Sequence, residues 1–111
     1  MKILFDQGTP APLRRALPDH EVETAFKRGW HLLRDGDLLN AAEAAGFDAL
    51  VTTDQNLRYQ QSLTGRRLAF LVLMTTDWRM IRQHTGHIAS AVAALAPASY
   101  VEFLFPPAPN S

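Results

Sequence analysis

Four aspartates occupy positions from which a carboxylate could do chemistry. Asp6 ends the apolar run Ile3-Leu4-Phe5, Asp35 and Asp37 flank Gly36 ahead of a helix-periodic stretch, and Asp54 closes Leu50-Val51-Thr52-Thr53. Oxygen-only ligands of this kind suit Mg²⁺ or Mn²⁺, which keep several waters and need only a few carboxylates. A cation held there would generate or orient an attacking water and stabilise charge on a phosphate, so the reaction class is metal-assisted hydrolysis of a phosphodiester. Asp6, Asp35, Asp37 and Asp54 are therefore the candidate catalytic residues, and Asp6, Asp37 and Asp54 the candidate metal ligands, with Asp35 competing with Asp37 for the middle position. Two carboxylates about 4 Å apart repel by roughly 4 kcal/mol at an effective dielectric near 20. Such a cluster needs a metal, a basic neighbour or a raised pKa.

Whether the acids meet depends on the elements that carry them. Ile3–Phe5, Ala49–Val51 and Leu68–Met74 are continuous apolar runs, as expected of central parallel strands covered on both faces. Residues 20–25 alternate around Val22 and predict an edge strand; Tyr100–Phe105 predicts a last strand. Thr9-Pro10 reads as the N-cap and first position of a short helix with Leu13 and Leu17 on its buried stripe. A second helix starts at Asp35 or Asp37, carries Leu38, Ala42 and Ala45 on one face and ends at Gly46. A short helix bearing Leu57 and Leu63 follows Asp54. A long one runs from Trp78 to Leu95 with a stripe of Ile81, Thr85, Ile88, Val92 and Leu95. Strands alternating with helices predict a three-layer α/β/α sandwich on a mostly parallel sheet. Right-handed crossovers bring the strand-to-helix loops to one sheet edge, where ligands bind in such folds. Asp6 and Asp54 both belong to that edge.

The chain's 111 residues predict one domain over 1–105 with a proline-containing tail over 106–111. An apolar fraction of 47% with 20% charged residues is ordinary for a globular protein. The formal net charge of zero argues against a strongly basic nucleic-acid footprint, though not against a local basic patch. Cysteine is absent, which removes disulfides and thiolate metal sites. The opening apolar run is too short for a signal peptide and no run suffices to span a bilayer, so the expected location is cytoplasmic, with no membrane partner.

Neighbouring acidic chemistries fit less well. A phosphoryl-accepting receiver wants paired acids after the first strand and a late lysine, yet the only lysines are Lys2 and Lys27. A haloacid-dehalogenase phosphatase wants Asp-x-Asp, and Asp6 is followed by Gln7-Gly8. No glycine-rich nucleotide loop occurs.

Lys2-Ile3-Leu4-Phe5-Asp6, Gly29-Trp30, Asp35-Gly36-Asp37-Leu38-Leu39, Gly46-Phe47-Asp48 and Thr52-Thr53-Asp54-Gln55-Asn56-Leu57, with Tyr59-Gln60-Gln61 and Gly65-Arg66, together resemble the small bacterial PIN-like proteins, over nearly the whole chain to about Phe103. The resemblance implies a PIN-like α/β/α sandwich and a Mg²⁺- or Mn²⁺-dependent ribonuclease, often the toxin of a toxin–antitoxin pair. Its acids fall on Asp6, the Asp35/Asp37 position and Asp54. An RNA substrate, an antitoxin or other protein partner, and a homodimer are the associations it implies. Gln7 and Gly8 stand where relatives often carry an acid and an amide, and the middle acid is usually Glu. With the zero net charge, these departures favour a second reading, a catalytically inactive PIN-like interaction module.

Arg14 and Arg58 each follow an acid-bearing loop and are the candidate nucleic-acid contacts. Acids also cap helices, where the dipole favours them by about 0.3–1 kcal/mol, so the four aspartates carry weight as a set. His84 and His87 read as a solvent-facing flank, His20 and His31 as turn residues, Trp30 and Trp78 as packing residues.

Overall fold

The computed structural model describes residues 1–60 and 62–106, with the backbone alone at Asp35 and Gln60. Five parallel strands form one sheet: β1 (Lys2–Phe5), β2 (Glu21–Thr24), β3 (Ala49–Thr52), β4 (Ala69–Leu73) and β5 (Tyr100–Phe103), in the order β2-β1-β3-β4-β5. Between them run a 3₁₀ helix (Ala11–Ala16), α1 (Asp35–Ala44), α2 (Leu57–Gln60), α3 (Trp78–Arg82) and α4 (Thr85–Ala93). The chain is thus a three-layer α/β/α sandwich, and the sheet is parallel throughout. None of the described helices is long and apolar enough to cross a membrane. The expected proline-containing tail lies outside the described residues from Pro107 onward.

Period-two side-chain alternation divides the core between two faces. Ile3, Phe5, Val51, Leu71 and Leu73 point to the face covered by the 3₁₀ helix, α3 and α4, meeting Leu13, Leu17, Ile81, Ile88 and Val92. Leu4, Leu50 and Phe70 point the other way, toward Leu38, Leu39 and Ala42 of α1 and Leu57 of α2. Burial on both faces explains why β3 and β4 read as unbroken apolar runs and why β2, with Glu21 exposed at the sheet edge, does not.

Three sequence expectations give way. Thr9 does not cap the first helix; Pro10 is its cap residue, the helix is 3₁₀, and the Thr9 hydroxyl is engaged elsewhere. The long helix is two helices: Gln83 and His84 donate three residues back, to Met80 and Ile81, and end α3 before α4 begins. The His84 ring donates from Nδ1 to the Met80 carbonyl at 2.8 Å, which ties it to the break. Nor are all crossovers of one hand. The β3–β4 and β4–β5 connections step across the sheet in the same direction, yet α2 packs on one face and α3 and α4 on the other. The β4–β5 connection therefore has the opposite hand to the other three, against the strong right-handed preference. The reason is coverage: a six-residue 3₁₀ helix cannot shield its face of a five-stranded sheet, and α3 and α4 complete that layer.

The strand order reverses between β1, which leads outward to β2, and β3, which leads the other way to β4. At such a switch point the loops leaving the two strands diverge to opposite faces and open a crevice beyond their carboxyl ends. Asp6 leaves β1 there, and Thr53-Asp54 leaves β3.

Candidate acidic site at the strand switch

The turn after β1 closes with the Thr9 N–H donating to the Asp6 carbonyl at 3.1 Å. It turns the Thr9 hydroxyl back onto the strand ends, 2.7 Å from Asp6 Oδ1 and 2.8 Å from the Val51 carbonyl. A hydroxyl has one proton to give. The Val51 carbonyl also accepts from the Asp6 N–H at 3.2 Å, so the Thr9 proton can serve the carboxylate without orphaning Val51.

From β3 the Thr52 hydroxyl donates to Asp6 Oδ2 and accepts from the Asp54 N–H at 3.0 Å. Thr52 therefore links the Asp6 carboxylate to the backbone of Asp54, whose own Oδ1 accepts from the Asn56 N–H at 3.0 Å as α2 begins. Burial raises the Asp6 pKa above its ordinary 3.8; the Thr52 and Thr9 hydrogen bonds oppose that, and the charge of Asp54 adds to it.

Gly8 has a reason in the same place. A Cβ built on it would lie 2.6 Å from Thr53 Oγ1 and 3.9 Å from Asp6 Oδ1. Only glycine lets the β1 loop pass this close to the end of β3.

Asp35 opens α1 and Asp37 follows it, exposed; the helix has no side-chain cap at Arg34. Leu38, one residue beyond Asp37, lines a pocket of about 170 Å³ together with Asp6, so the first turn of α1 flanks the acidic loop. The Asp35 side chain lies outside the described set, and among the described residues no three acidic or histidine side chains gather around a point that could hold a metal. The structure thus joins the Asp6 carboxylate to the Asp54 backbone through Thr52 and leaves Asp37 exposed on the first turn of α1.

Of the basic candidates, Arg14 is exposed on the 3₁₀ helix. Arg58 is turned toward β5: its guanidinium donates to Tyr59 Oη at 2.6 Å, lies 3.7 Å from Glu102 and faces the Tyr59 and Tyr100 rings at 4.8 and 5.7 Å. That bond with Tyr59 raises its already high pKa.

Two side chains that the sequence reading assigned to packing and to a turn also line the Asp6 pocket, Trp30 and His31. Gly29, at a φ of 76°, and the Trp30 N–H bond to the Ala25 carbonyl at 2.8 Å fold the segment after β2 inward. Trp30 stands edge-on to Phe47, 6.1 Å between centroids, and His31 lies against Phe26 at 4.9 Å. The available signal was positional: this segment follows a parallel strand and must reach the same edge as Asp6.

A larger hollow of about 630 Å³, walled by Phe47, Leu68 and Leu95, opens at the other edge, where Met1, Asp48 and Leu68 precede their strands. It is remote from both acids. No family model, curated protein or solved structure matches the chain.

Proposed function

We propose that the chain is a PIN-like, Mg²⁺- or Mn²⁺-dependent ribonuclease that hydrolyses RNA phosphodiesters at the β1/β3 switch. The observation that carries this reading is the Thr52-bridged pair of Asp6 and Asp54 at the position where parallel α/β sheets bind ligands. A hydrated Mg²⁺ needs only one or two carboxylates, and each Asp6 oxygen retains a lone pair after its hydroxyl bond, so the pair fits such an ion. Asp6 and Asp54 would hold it, with Asp35 or Asp37 contributing from α1. When bound, the ion would supply Lewis-acid stabilisation and an activated water. Thr52 and Thr9 orient the Asp6 carboxylate, and Gly8 lets the β1 loop approach Thr53 at the end of β3.

The reading is tested by incubating purified protein with single-stranded RNA in Mn²⁺ and in EDTA. Wild type cleaves only with Mn²⁺, and Asp54→Asn loses at least a hundredfold in rate. Absence of wild-type cleavage across varied RNAs defeats it.

A second reading, the catalytically inactive interaction module, is favoured by one feature. Phe26 and Leu32, on the segment that also supplies Trp30 and His31, are 67% and 85% exposed. Apolar side chains this bare beside a pocket suit a protein partner such as an antitoxin. Co-purification of that partner from wild type, and its loss from Phe26→Ser/Leu32→Ser, supports this reading over the enzyme if no RNA is cut.

A further inference from the structure

The pocket beside Asp6 contains a group that the acidic site does not use. His31 Nδ1 is buried and has no hydrogen-bond partner among the described residues. Leaving a polar atom in that state is unfavourable, and a bound group or a ring adjustment would relieve it. Asp6, Gln7 and Trp30 share the pocket walls with it.

The size and charge of the pocket restrict what could supply the missing bond. At about 30 Å³ per water, 170 Å³ holds five or six waters. That is the space of one sugar ring, and it falls below the roughly 300 Å³ at which pockets for larger ligands begin. Its described walls include a carboxyl group and neither lysine nor arginine. A phosphate would face Asp6 with no cation in the described lining to offset it, the Arg28 guanidinium over Trp30 being paired with Glu23, whereas a neutral hydroxyl can donate to a histidine nitrogen or a carboxylate. Trp30 adds an aromatic wall.

We infer that this pocket is a ribose subsite in which His31 receives the 2′-hydroxyl of a single-stranded RNA, making His31 the residue that distinguishes RNA from DNA. The 2′-hydroxyl is the one group by which a protein can tell the two apart at a given nucleotide, and a buried polar group left unpaired by the wrong ligand discriminates strongly. Asp6 then faces the same nucleotide whose phosphodiester lies toward Asp54. The inference rests on the ribonuclease reading and adds a substrate determinant to it.

The test is fluorescence anisotropy of a labelled decaribonucleotide and its decadeoxyribonucleotide counterpart in Ca²⁺ buffer, on wild type, His31→Phe and His31→Asn. His31→Phe keeps a ring against Phe26 and removes both nitrogens; Asn places an amide near the position of Nδ1. Wild type binds the ribonucleotide at least tenfold more tightly than the deoxyribonucleotide. His31→Phe abolishes that ratio with little change in deoxyribonucleotide affinity or Tm, and His31→Asn restores part of it. A wild-type ratio near one, or a ratio unchanged in His31→Phe, overturns the inference and leaves the ribonuclease reading intact if Mn²⁺-dependent cleavage persists. If neither oligonucleotide binds and Mn²⁺ supports no cleavage, both fail together.

Discussion

The Thr52 hydroxyl donates to the Asp6 carboxylate across the β1/β3 switch while accepting from the Asp54 N–H. One side chain thereby sets the orientation of one acid and the backbone that carries the other. Thr52 is itself buried, so its hydroxyl has no water to fall back on. Thr52→Val preserves shape and removes both bonds. It should destabilise the protein by about 1–3 kcal/mol, because a half-buried carboxylate and a half-buried N–H each lose a partner. Urea unfolding measures this. NMR titration of the Asp6 carboxyl should show its pKa rising further, since the loss removes the largest influence opposing burial.

The pH dependence of stability carries a sign specific to Asp6. Its folded pKa is raised above the ordinary 3.8. Between those two values the native state holds the proton more often than the unfolded chain, so stability falls as pH rises through that window and stays lower above it. Glu23 works in the opposite direction, its pKa lowered by the Arg28 guanidinium that donates to it at 3.0 Å. The Asp6 contribution is therefore read as the difference between wild type and Asp6→Asn. Without metal, Asp6→Asn should match wild type at acid pH and melt higher at pH 7. Equal melting at both pH values would count against a half-buried, charged Asp6.

Gly8 is set by the approach of two strands. Gly8→Ala places a methyl 2.6 Å from Thr53 Oγ1, and Thr53 is buried, so relief requires a shift costing about 1–3 kcal/mol. The double variant Gly8→Ala/Thr53→Ala removes the obstructing oxygen and should recover most of that loss, a non-additive pairing expected of residues in contact. If the two effects simply add in thermal melts, the clash is not what glycine avoids.

The sheet was legible because burial on both faces writes itself as apolar runs at Ile3–Phe5, Ala49–Val51 and Ala69–Leu73. The edge shared by Asp6 and Asp54 followed from parallel topology alone. The break at His84 was not legible, since Ile81, Ile88 and Val92 keep helical spacing across it. The reversed hand of the β4–β5 connection was not legible either. It answers to how much of one face the 3₁₀ helix leaves bare, a property of the whole sheet. At the site, Gly8 looked like a departure from a nuclease pattern, and its actual constraint, Thr53, is distant in sequence. Thr9 was read as a cap because Thr-Pro has that local meaning; the tertiary partners Asp6 and Val51 override it. His31 had no local signal and gained its place from the folding of the segment after β2.

The central claim is that Asp6 and Asp54 hold a divalent ion at the strand switch, and thermal melting during a Mn²⁺ titration of wild type beside Asp6→Asn tests it most directly. An ion that binds only the folded state adds about 2.7 kcal/mol at a hundredfold excess over its Kd. Wild type should therefore melt progressively higher as Mn²⁺ rises through the millimolar range. Asp6→Asn should start higher than wild type at pH 7 and remain flat. A wild-type Tm that does not move, or equal upward shifts in both proteins, would contradict the account.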